Sequence, residues 1–149
     1  PDEISTFIDW TGDCNDDNPT TSITVNEDST CIATCITQFV LNPIFPALDD
    51  NVNSISAENA TPNGNVAITW GRSPGSFIVG GRTCAGTELG IGRPNILAIE
   101  RANDFGVATH IFYIPLFGDF EYTIQLQAVD IETCRVSNQI EQGIRKDDE

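Results

Sequence analysis

Apolar and polar residues alternate with a period of two along much of this chain, and no stretch carries a convincing 3.6-residue period. The clearest case is "YTIQLQAVD". Tyr122, Ile124, Leu126 and Ala128 fall on one side, and Thr123, Gln125 and Gln127 on the other. That pattern predicts a half-buried strand with its glutamines in water. Further short runs rich in Ile, Val, Thr and Phe predict strands at 4–10, 21–27, 31–40, 52–57, 66–70, 76–79, 95–100, 107–114 and 135–140. Gly, Asn, Asp and Pro punctuate them, as in "TPNGN" and "RSPGS". Many short strands without intervening helices predict an all-β fold, a sandwich or barrel, taken as an antiparallel β-sandwich with a jelly roll as the alternative.

One stretch breaks the ladder pattern. "LNPIFPALDDN", from Leu41 to Asn51, carries two prolines and a paired acid. It is taken as a boundary. The division is an N-terminal β segment or arm with an acidic loop over 1–48, a sandwich over 49–143 and a polar tail over 144–149. The first segment is too small for a core of its own, so it must pack on its own or a neighbouring domain.

Composition narrows the class. Twenty-two acids stand against seven bases, for a net charge of −15. A surface of that sign repels nucleic acid and anionic membranes and is compatible with divalent cations. No run is apolar enough to span a membrane. The chain of 149 residues has no methionine and begins at Pro1, as a protein would after removal of a secretory signal. Five cysteines in so short a chain point the same way, to an oxidising, extracellular setting.

Leu116 precedes Tyr122 by six residues, and the alternating strand that follows ends in Ala128-Val129. This resembles the fibronectin type III pattern, within the wider immunoglobulin-like sandwiches, over roughly residues 51–142. The resemblance implies that Leu116 plugs one end of the sandwich and that Tyr122 caps a corner with its hydroxyl. It makes Trp70, in "NGNVAITW", a core aromatic, and "VSNQI" part of a closing strand. Phe117-Gly118-Asp119 departs from the family's proline-glycine turn, and "VGGRTCAGTELGIG" stands where a regular strand is expected. Sandwiches of this kind serve mostly as binding, adhesive or spacer modules.

Candidate chemistry is sparse. Asp9, Asp13, Asn15, Asp16 and Asp17 place hard oxygen donors in one short stretch, and "GDCNDDNPT" looks like the aspartate-rich calcium loops of extracellular bacterial proteins. The competing reading is a solvated acidic turn. Trp10 beside that loop makes a candidate sugar platform, so a carbohydrate partner is considered. Cys31 and Cys35 on one strand lie about 13 Å apart, too far to bridge without a bend. One of them is therefore expected to pair elsewhere, for example with Cys14, and Cys84 with Cys134, leaving one cysteine for a bond to a partner chain or as a free thiol. Asn59-Ala60-Thr61 is a glycosylation sequon. His110, the sole histidine, lacks any nucleophile motif around it and reads as a strand residue. The expectation is a non-enzymatic, extracellular structural or adhesive subunit. It forms homo-oligomers or polymers by strand exchange, into a filament or surface layer. The alternative is a calcium-dependent carbohydrate- or ligand-binding module, with calcium the one cofactor considered.

Overall fold

The computed structural model describes residues 5–14, 18–22, 28–115 and 121–146. No helix occurs among them, and the strands pair antiparallel in several sheets. The chain divides into two compact units, Pro1–Gln38 and Phe39–Glu149. The boundary thus precedes the Leu41–Asn51 stretch expected to carry it. The reason is packing: Phe39, Leu41, Ile44 and Ala47 are all buried in the second unit's core.

The first unit is a ribbon of two strands, β1 (Ser5–Gly12) and β2 (Cys31–Thr37). Its register is interrupted by a bulge between Phe7 and Asp9. Phe7 and Trp10 therefore share a face, with ring centroids 5.7 Å apart. A disulfide between Cys14 and Cys31 closes the ribbon's end. Most of the predicted strand at 21–27 lies outside the described residues.

The second unit has two sheets that share one core. The smaller is ordered β3 (Val40–Leu41), β4 (Asn51–Glu58), β9 (Ala108–Ile114). The larger is ordered β10 (Tyr122–Asp130), β5 (Asn65–Gly71), β8 (Asn95–Arg101), with β11 (Arg135–Val136) and β12 (Ile140–Ile144) along the free side of β10. Inward residues alternate as a sandwich requires: Ile55 and Ala57 from β4, Ala108 and Ile114 from β9, Val66 and Ile68 from β5, Ile124, Leu126 and Ala128 from β10.

One sequence expectation fails in an instructive way. The outward side of β10 is not solvated: Gln125 and Gln127 are buried. The cover is a hairpin inserted between β5 and β8, made of β6 (Pro74–Ile78) and β7 (Glu88–Ile91). Leu89 and Ile91 are buried. The Gly90 amide donates to Gln127 Oε1 at 2.9 Å, and Gln127 Nε2 donates to the Ser137 carbonyl at 3.1 Å. Gln125 Oε1 accepts from Gln139 Nε2, while its own Nε2 donates to Glu141. The Gln127 amide is satisfied by backbone groups and the Gln125 amide by Gln139 and Glu141, which is the condition for burying them. The Cys84–Cys134 disulfide ties the hairpin's loop to the turn after β10.

A Cβ at position 90 would run into the Gln139 side-chain amide. Gly90→Ala is expected to swing Gln139 away and forfeit its bond to Gln125, at about 1 kcal/mol. Unchanged denaturant stability in that variant would show that the hairpin does not bear down on the glutamines.

Where β10 ends, Asp130 is fully buried and gathers three segments. Its Oδ2 accepts from the Thr61 amide and hydroxyl, each at 2.9 Å, and from Arg135 Nη2 at 3.0 Å. Arg135 Nη2 also donates to the Asn59 carbonyl, and its guanidinium lies over the Phe39 ring. This corner joins the β4–β5 connection to the β10–β11 turn.

Candidate functional site

The two flanks of the sandwich differ. On one, the sheets are stitched together. Leu41 N donates to Asn138 Oδ1, and Asn138 Nδ2 donates back to the Leu41 carbonyl. Ile44 N donates to Gln142 Oε1, and Leu48 bridges Arg145 in parallel. On the other flank β8 and β9 are the edges, with no ladder between them. Here a side-chain pair spans the sheets: His110 Nδ1 lies 2.8 Å from Glu100 Oε1, and the His110 ring stacks on Phe112. This is the structural place of the sole histidine.

The two open edges are not equivalent. Edge strands are normally blunted by bulges, charges or proline. β8 has a bulge in its pairing with β5 and ends in Glu100-Arg101. β9, with the sequence "ATHIFYI", pairs with β4 through seven consecutive residues without interruption. It carries no acid, lysine, arginine, proline or glycine. Of its three outward side chains, Thr109, Ile111 and Tyr113, the last two are large and mainly apolar. Ile111 and Tyr113 are 68 % and 54 % exposed. Val52 lies directly opposite Tyr113, and Phe45 and Ile111 both pair with Ser54. Phe45, Val52, Ile111 and Tyr113 therefore share the outer face, with Ser54 between Phe45 and Ile111, beside an unpaired backbone edge. The Tyr113 hydroxyl donates to Asp50. That bond, before any desolvation, raises the Tyr113 pKa above its usual value of 10.0.

A cleft of about 540 Å³ opens at one end of the sandwich, lined by Trp70, Arg72, Leu97, Phe112 and Tyr122 among others. Tyr122 and Trp70 are half-buried and pack against the core. Burial, with a smaller push from the Asp49 charge, raises the Tyr122 hydroxyl's pKa. Leu116, the expected plug, lies outside the described residues.

Of the predicted calcium donors, Asp9 and Asp13 lie within the described residues. Asp13 is committed to the ribbon: its Oδ2 accepts from the Thr30 amide at 2.8 Å, so the side chain serves as a local turn acceptor. Asp9 sits within β1, opposite Thr34. Asn15, Asp16 and Asp17 lie outside the described residues. Among the described residues no three His, Cys, Asp or Glu side chains converge on one point. Trp10 donates its indole N–H to the Asn18 carbonyl at 3.0 Å. Cys35 is exposed and unbridged on β2. Asn59 closes β4 with a positive φ of 60°, a conformation asparagine tolerates. In its sequon, the Thr61 hydroxyl is already given to Asp130.

The β9 edge was missed in the sequence because strand position decides it. "ATHIFYI" reads as a strand, but only the topology makes it an edge. The signal present was the absence of any charge in seven residues of a chain rich in acids. No family model, curated protein or solved structure matches this chain.

Proposed function

We propose that this protein is an extracellular structural or adhesive subunit that assembles with copies of itself by adding a strand to the β9 edge. The observation that carries this reading is that edge: regular, free of acids, lysine and arginine, and bordered by exposed apolar side chains. Such an edge offers hydrogen bonds to an incoming strand and apolar contacts to its side chains. The donor is the ribbon. A two-stranded ribbon has no second layer of its own to bury against. β2, "CIATCIT", is uncharged, largely exposed and bonded along one side to β1. A β2-to-β9 contact joins different surfaces of two copies, a heterologous contact that builds a filament unless its rotation closes a ring.

Charge supports the same pair of strands. Copies carrying −15 repel one another within a Debye length of about 8–10 Å. Neither β2 nor β9 contributes a carboxylate, so pairing them sets no acid against another. Association is therefore expected to strengthen with added salt up to physiological ionic strength, and sedimentation across a salt series checks it. Two disulfides fit an oxidising, extracellular location.

We read the sandwich itself as fibronectin type III-like. A three-stranded sheet of β3, β4 and β9 faces a larger sheet of β8, β5, β10 and β12, and Tyr122 opens the long strand β10. The β6–β7 hairpin is an addition to that plan.

Amide hydrogen exchange at rising protein concentration tests the assembly. Amides of β9 that point away from β4 should become protected as concentration increases. Protection that rises nowhere on β9 would remove the edge from the assembly.

A further inference from the structure

We propose that the end of the sandwich where the inserted hairpin departs is a binding site for a small organic anion with an apolar body, an amphipathic carboxylate being the class that fits. The site is built by topology. β5 and β8 run antiparallel and end their pairing at Trp70 opposite Asn95. The chain leaves β5 toward the hairpin through Arg72 and returns to β8 through Arg93. The two stems are held together by the Gly92 amide, which donates to the Ser73 carbonyl at 3.1 Å. Arg72, Arg93, Ser73, Asn95 and Trp70 consequently line one concavity of about 480 Å³.

Two features point to an anion. The chain has seven bases and twenty-two acids, yet two of those bases share this concavity. Among the described residues, neither arginine meets a carboxylate. An incoming anion would accept charge-assisted bonds from guanidinium groups that no acid among the described residues engages. The second feature is the neighbouring surface. Trp70 and Arg72 also line the larger end cleft, where Leu97, Phe112, Tyr122 and Ile124 supply an apolar wall. A headgroup between the arginines therefore lies beside apolar surface, the usual arrangement of a small-molecule site. Net charge argues for a small ligand over a polymer: an extended polyanion meets the field of the whole −15 chain, whereas a single carboxylate meets mainly the two arginines.

The test uses the full chain with Trp10→Phe, which leaves Trp70 as the sole tryptophan, and phenylpropionate with its uncharged counterpart phenylpropanol as probes. Trp70 fluorescence should change saturably with phenylpropionate and respond about tenfold more weakly to the alcohol. Arg72→Gln with Arg93→Gln should reduce phenylpropionate to the level of the alcohol and leave the alcohol unchanged. Arg93→Lys, which keeps the charge, should retain part of the affinity, and near-UV circular dichroism confirms that each variant is folded. Equal binding of acid and alcohol, no saturable response, or indifference to the double substitution would overturn the site. Displacement of phenylpropionate by a poly-aspartate peptide of higher affinity would assign the arginines to an acidic protein segment and overturn the small-ligand reading.

Discussion

Asp130→Ala is expected to lower folding stability by about 2–4 kcal/mol. The carboxylate is fully buried and accepts from Thr61 N, Thr61 Oγ1 and Arg135 Nη2, while Oδ1 accepts from the Glu132 amide at 3.2 Å. Alanine removes every acceptor at once and leaves the Thr61 amide unsatisfied. The loss stays below the full penalty for a broken buried ion pair, because the Arg135 side chain is 36 % exposed and can turn to water. Asp130→Asn keeps an oxygen toward Thr61 and should lose less, about 1–2 kcal/mol. Denaturant unfolding of both variants checks the order.

The same carboxylate gives a pH dependence of defined sign. Burial by itself would raise the Asp130 pKa, but the bonds from Arg135 and Thr61 outweigh it and hold the value below the ordinary 3.8. A native pKa below the unfolded one means that the unfolded state binds the proton more tightly. The stabilisation is therefore complete above pH 3.8 and is lost as pH falls through the native value. Acid unfolding of Asp130→Asn should lack that component. Identical acid profiles for the variant and the native chain would show that the corner does not titrate with folding.

Replacing Cys84 and Cys134 together by alanine is the second large effect. The bridge spans a sequence separation of 50 residues, and releasing a loop of that length is expected to cost about 4 kcal/mol in the chain-entropy account. The structure adds a local consequence. The bridge anchors the loop of the β6–β7 hairpin, and that hairpin covers Gln125 and Gln127. Exchange protection of the Gly90 amide should fall further than that of β4 amides. If β6–β7 and the two sheets lost protection equally, the hairpin would be held by its own packing and not by the disulfide. Removing the Cys14–Cys31 bridge, which closes a separation of 17 residues in the other unit, should leave this sandwich unaffected.

Most of the strands were legible from local pattern, since period-two alternation and turn residues are properties of short stretches. Tyr122–Asp130 is read to its ends. What the pattern does not carry is the partner of each face. The glutamines of β10 look solvated because glutamine usually is; the hairpin that buries them is reached through "VGGRTCAGTELGIG", whose glycines mask the short strand β7. The boundary expected near residue 48 falls earlier for a related reason. Prolines mark irregular backbone, and the irregular backbone from Asn42 to Asp50 still delivers Ile44 and Ala47 to the core and pairs with Arg145. The closing strand expected at 135–140 is interrupted after Val136 and resumes at Ile140, because the Ser137 hydroxyl takes the place of a ladder partner for the Ala128 amide. The acidic stretch is conspicuous in the sequence through composition, which does not show that Asp13 Oδ2 accepts from the Thr30 amide.

The claim on which the functional reading depends is that copies meet at β9, and native mass by light scattering tests it most directly. The wild-type chain and Ile111→Lys are compared across a concentration series at physiological salt. Ile111 lies on the exposed outer face, so a charged side chain there leaves the core intact and blunts the edge. The account predicts species larger than the 16.2 kDa monomer that grow with concentration for the wild type and are lost in the folded variant. A wild-type chain that stays at 16.2 kDa throughout, or a variant that assembles as readily as the wild type, would contradict assembly through this edge.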